Sequence, residues 1–186
     1  MTGSHACDEF TRVVDVSDLG DDERRLDVVA DEDERRALAA DLDLLALEAL
    51  EATAWLAPAG SDREVRLRAS FRARVVQACV VTLEPVESVI EESFGLTYRP
   101  VDEADAAARE VEVVLDEEDP PEPLVGGRVD VGAAIAEHLA LALDPYPRRP
   151  GAHLDASAAE TRAAAGEGEG PFAVLGRLTE TVRGNT

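Results

Sequence analysis

Four arginines, Arg66, Arg68, Arg72 and Arg74, flank Ser70 at alternate positions in a run that begins Arg63-Glu-Val-Arg-Leu-Arg and ends at Cys79. A guanidinium stays charged and presents a planar fork of donors that matches phosphate or carboxylate. A row of them along an extended chain therefore has two uses. It can hold successive phosphates of a nucleic acid. It can instead answer carboxylates such as Glu87 and Glu91 on an adjoining strand, in exposed ion pairs worth a fraction of a kcal/mol each. The strand carries no aromatic on the arginine face, because Phe71 falls on the other side. Stacking of bases, a main source of affinity for RNA, is then not expected there. Chemistry alone leans toward the ion pairs and leaves both readings open.

The surroundings sharpen the question. The chain has 186 residues and a net charge of -22, with arginine as its only basic residue besides three histidines. Residues 63–79 carry +4, whereas the segments 1–62 and 80–123 carry -12 each and residues 124–186 carry -2. So acidic a chain repels phosphate at long range and suits basic partners. The arginine row runs against that field.

No other constellation offers chemistry. His5 and His153 fall in expected tails, and His138 lies beside an apolar helical stripe, where a structural histidine is expected. Cys7 and Cys79 share no metal-ligand spacing and are expected as reduced thiols. Gly126-Gly127 suits a turn, not a phosphate loop. The run Asp116-Glu-Glu-Asp119 lacks the spacing of a calcium loop. Neither an enzyme nor a bound metal or other cofactor is expected. No run of 18 apolar residues occurs, so no membrane contact is expected. The first nine residues lack the basic and apolar regions of a secretory leader, and the expected address is cytoplasmic.

These residues need elements to position them. Residues 12–16 and 25–30 are short and β-branched, with turn chemistry between them. Asp31, with Glu34 three places on, has the form of a capping box and predicts a helix to about residue 41. Residues 44–56 are rich in Leu, Ala and Glu, which favours helix, yet Thr53-Ala-Trp-Leu-Ala-Pro58 looks extended. Residues 64–75 alternate cleanly, with Val65, Leu67, Ala69, Phe71, Ala73 and Val75 opposite the arginines. After Pro85, Val86, Ile90, Phe94, Leu96 and Tyr98 share a second strand face, and the two strands make a long antiparallel hairpin. Residues 101–123 form an acidic, proline-ended loop, with an extended piece at 111–115. Asp130 caps a final helix whose stripe is Val131, Ile135, Leu139 and Ala142.

At Val75-Val-Gln-Ala-Cys-Val-Val-Thr-Leu-Glu-Pro-Val86 the chain resembles the YceD family, most closely its alphaproteobacterial form. The helix run Val129-Asp-Val-Gly-Ala-Ala-Ile-Ala-Glu-His-Leu-Ala-Leu-Ala-Leu-Asp-Pro-Tyr-Pro147 and the terminal Pro171-Phe-Ala-Val-Leu175 extend the resemblance. It implies a role in accumulation of the 23S rRNA of the large ribosomal subunit, and it favours strand at 44–56. Many members carry Cys-x-x-Cys at the hairpin, and some carry more cysteines after the final helix. Here Cys79 fills the first place, Thr82 stands in the second, and 147–153 has none. One thiolate cannot build a tetrahedral zinc site, so Cys79 is expected as a small core residue.

The fold expected is α+β: a largely antiparallel sheet with a long central hairpin and two main helices. Residues 10–150 are expected as a single YceD-like domain, 151–170 as a disordered linker, and 171–178 as an apolar docking motif. The expected function is a non-enzymatic factor for synthesis, processing or stability of 23S rRNA. Its binding candidates are Arg66, Arg68, Arg72 and Arg74. The rival is an acidic module or chaperone for a basic ribosomal protein, affecting rRNA indirectly. The partner is thus rRNA or such a protein.

Overall fold

In the computed structural model, which describes residues 10–17, 19, 20, 22–60, 63–101 and 120–153, nine elements follow one another. They are β1 (Val13–Asp15), β2 (Arg24–Val29), α1 (Glu32–Asp41), β3 (Ala46–Ala59), β4 (Glu64–Ala78), β5 (Pro85–Pro100), β6 (Glu122–Leu124), β7 (Arg128–Asp130) and α2 (Val131–Ala142). All belong to one compact unit, Met1–Arg148; a second unit comprises Arg149–Thr186. The expectations placed at 102–119, 154–170 and 171–178, and on His5 and Cys7, lie outside the described residues.

The main sheet has the order β2-β3-β4-β5-β6, antiparallel except for the short β5–β6 pair. With two helices against a mostly antiparallel sheet, the fold is α+β as expected. The central hairpin is long: β4 and β5 stay in register from Val65 opposite Tyr98 to Ala78 opposite Pro85. The even-numbered apolar residues of β5 lie beside the buried odd-numbered residues of β4, as the alternation requires. One face of the sheet is therefore apolar and covered, and the other is open to water.

Residues 46–59 are strand despite their helix-forming composition. β3 sits between β2 and β4, and Leu47, Leu50, Ala52, Ala54 and Leu56 are buried there. Packing on both sides overrides local preference. A register shift between Leu47 and Ala49 changes which parity faces inward. The shift spaces Leu47 and Leu50 three apart, as a helix would, and so disguises the strand.

Each helix starts where a side chain satisfies its first amides. Asp31 accepts from the Glu34 amide at 2.9 Å, and Glu34 Oε2 accepts from the Asp31 amide at 2.8 Å, closing the capping box. Leu38 and Ala39 are then buried on the side of α1 toward β3. Asp130 caps α2 by accepting from the Ala133 amide at 3.1 Å. Val131, Ile135 and Leu139 are fully buried, and Ala142 packs at the margin of the core.

The two short segments at the N-terminal end do not pair with each other. β1 pairs with β7, Val14 opposite Val129, while β2 joins the edge of the main sheet. Arg12 is the knot between these parts. Its amide donates to Asp130 Oδ1 at 2.9 Å, and its carbonyl accepts from the Val131 amide at 3.1 Å. Its guanidinium grips both oxygens of Glu34 at 2.7 and 2.9 Å. That fork holds the Glu34 carboxyl below the usual range, chiefly through its hydrogen bonds.

Candidate nucleic-acid interface

The open face of the main sheet is built in cross-strand rows, because residues opposite one another in an antiparallel pair share a face. Arg66 stands between Ala57 and Thr97, and Arg68 between Trp55 and Gly95. Ser70 stands between Thr53 and Ser93, Arg72 between Glu51 and Glu91, and Arg74 between Ala49 and Val89. All four arginines are exposed on this face. The structure brings together the residues that alternation placed there.

Their partners differ along the row. Arg72 Nε lies 3.3 Å from Glu91 Oε1, the ion pair expected from β5. Glu87 stands opposite Val76, so it does not answer an arginine in register. Arg74 Nε approaches Glu48 Oε2 at 3.9 Å, and the register shift at that point of β3 brings Glu48 within reach. Arg68 pairs with Glu23, in the segment leading into β2. Among the described residues no carboxylate pairs with Arg66. The three pairs have more than half of each arginine side chain exposed, so each contributes little to folding.

The arginine strand supplies no aromatic, but its neighbour does. Trp55 of β3 lies on the open face, half-buried, with Arg25 of β2 on one side and Arg68 on the other as register partners. An open cleft runs from Trp55 past Arg68, Ser70 and Ser93 to Gly95, where the absence of a side chain leaves room. The expectation that stacking is unavailable on this face is thereby corrected. It considered one strand, and a sheet face is made by several. Counting parity from Leu50, Ala52, Ala54 and Leu56 would have turned Trp55 outward, had 44–56 been read as strand. Beside it Asp27 takes hydrogen bonds from Arg25 and from the Thr53 hydroxyl, which hold its carboxyl below the usual range.

The covered face accounts for the remaining candidates. His138 of α2 stacks on Phe94 of β5, ring centroids 3.7 Å apart and nearly parallel, and Phe94 meets Phe71 edge-on at 6.5 Å. His138 thus packs as the structural histidine expected. Cys79 is fully buried at the start of the β4–β5 turn. Its amide donates to the Glu84 carbonyl at 2.8 Å and its carbonyl accepts from the Leu83 amide at 2.9 Å. The Val80 amide donates to the Pro147 carbonyl at 2.9 Å, so the hairpin turn meets the segment after α2. Gly126 and Gly127 form a turn with φ of 62° and 66°. No group of three His, Cys, Asp or Glu among the described residues is arranged to hold a metal ion.

No helix among the described residues is long and apolar enough to cross a membrane. No curated protein and no solved structure matches the chain. A family model described as large ribosomal RNA subunit accumulation protein YceD matches residues 67–179. The matched span takes in most of β4, the β4–β5 hairpin and α2; Trp55 and Arg66 precede it. By that match, which covers more than half of its length, the chain belongs to the YceD family.

Proposed function

We propose that this protein is a non-enzymatic cytoplasmic factor that supports synthesis, processing or stability of the large-subunit ribosomal RNA. The family match carries the reading, since its description speaks of accumulation of that RNA and names no reaction. The open sheet face supports direct contact. Arg66, Arg68, Arg72 and Arg74 set guanidinium groups along one strand, where successive phosphates can be met. Exchanging all four for Gln should abolish RNA binding with little loss of stability. The dependence of affinity on salt should flatten by roughly 0.7 for each phosphate no longer held.

A second reading is favoured by the charge. The chain carries -22, and three of the four arginines are already met by carboxylates. Such a surface suits a basic ribosomal protein, which this chain would deliver or protect, with rRNA levels following indirectly. Affinity capture from lysate with and without ribonuclease separates the two. Large-subunit RNA recovered directly, and ribosomal proteins lost on ribonuclease treatment, support the first reading. A basic ribosomal protein retained after ribonuclease supports the second. Recovery of neither, together with unchanged large-subunit RNA on depletion of the protein, would remove the ribosomal role.

A further inference from the structure

We infer that the arginine row is divided, and that Trp55, Arg66 and Arg68 form a place for one stacked nucleotide of single-stranded RNA. Arg72 and Arg74 instead serve the sheet. The inference rests on the direct-contact reading above and narrows it to one end of one face.

Register makes the division. Arg72 has acids on both sides, Glu51 and Glu91, and Arg74 has Glu48 within 3.9 Å. A phosphate arriving there meets fixed negative charge from two strands. At the other end the cross-strand neighbours are neutral: Ala57 and Thr97 beside Arg66, Trp55 and Gly95 beside Arg68. Arg66 has no ion pair among the described residues, and the carboxylate on Arg68 comes from outside the sheet, from Glu23. Glu23 can be displaced by a phosphate without disturbing a strand.

Trp55 supplies what a phosphate clamp lacks. Its indole is half-buried and so held in place, and it borders the cleft that opens at Gly95. A base laid on the indole would have the hydroxyls of Ser70 and Ser93 in the same cleft and the guanidinium of Arg66 one row away. Stacking tolerates any base, whereas the hydroxyls give a modest preference. The same place is wrong for a basic protein, although a cation over an indole is ordinarily attractive. Arg25 and Arg68 flank Trp55 as register partners, and an incoming Lys or Arg would meet both charges.

The chain has one tryptophan, so its fluorescence reports on this cleft alone. Titration of the full-length protein with a short oligoadenylate should quench that emission and shift it, while heparin, a polyanion without bases, should leave it nearly unchanged. By anisotropy of labelled oligoadenylate, Trp55→Leu should weaken binding about ten-fold or more and Trp55→Phe much less. Arg66→Gln with Arg68→Gln should also weaken it about ten-fold, while Arg72→Gln with Arg74→Gln should stay within about two-fold of the parent. Glu23→Gln should tighten binding by about two- to five-fold, since it frees Arg68. Circular dichroism of each variant confirms its fold, and Trp55→Phe keeps the test valid should Trp55→Leu be unstable. Equal loss from both arginine pairs with no effect at Trp55, or equal quenching by heparin, would overturn the divided row while leaving RNA binding intact. Quenching by a poly-lysine peptide and not by RNA would overturn it in favour of a basic partner. Capture of no RNA by the parent protein would overturn the underlying reading as well.

Discussion

At the scale of single residues, the consequences are set by close approach and by pairs. A Cβ built on Gly132 would lie 2.3 Å from the Phe10 carbonyl oxygen and 2.9 Å from the Arg12 amide, both backbone atoms that cannot swing away. Gly132→Ala should therefore cost about 2–4 kcal/mol in urea unfolding, despite the better helix propensity of alanine. Glu34 gives a dependence on acid. Its folded value lies below the ordinary 4.5, so its contribution is fully present above that pH and is lost as pH falls through the folded value. Arg12→Ala should cost about 2 kcal/mol at neutral pH and flatten the stability curve below pH 4.5, measured by denaturant midpoints across the acid range. Tyr98 acts at the other extreme. Burial, then the nearby carboxylates of Glu122, Glu137 and Asp130, push its hydroxyl up to about 12. Its contribution is present below its ordinary value of 10 and is lost as pH rises through 12, a slope that Tyr98→Phe should remove. The arginines were visible in the sequence as a strict alternation, and their own strand needed nothing else to be placed. Trp55 was hidden because its role depends on the neighbour across the ladder, which local pattern does not report.

At the scale of elements, clean periodicity was readable wherever one strand or helix buried one face without interruption. β4, β5 and α2 are of that kind, as is the cap at Asp31. β3 is not, because the shift at Glu48 changes its inward parity midway and its residues are good helix formers. The pairing of β1 with β7 was equally unreadable, since three-residue strands carry no period of their own. The hairpin turn yields a prediction. Backbone hydrogen bonds from Cys79 to Leu83 and Glu84, and from Val80 to Pro147, hold together the two segments that bear cysteines in some relatives. Prolonged treatment with a strong chelator should leave the unfolding midpoint unchanged. A molar equivalent of zinc released only on unfolding would contradict it.

At the scale of the whole molecule, charge dominates. With -22 on 186 residues the folded chain repels itself, and screening relieves a compact state more than an expanded one. Raising sodium chloride from very low concentration to the physiological range should raise the melting temperature by several degrees. Sodium chloride acts on binding in the opposite direction, if phosphates are the ligand, since counterion release weakens with salt. Stability rising while RNA affinity falls in one titration series would separate the two effects of the same charge.

The tie between Arg12 and Asp130 spans 118 positions. During synthesis at roughly 5–20 residues per second, β1 waits several seconds to tens of seconds for its partner to leave the ribosome. Over that interval the β3–β4–β5 meander can close through neighbouring contacts, while Phe10 and Val14 have nothing to cover them. Emergence of α2 then completes both layers late in translation, so a nascent chain halted before residue 128 would display its first apolar residues to chaperones.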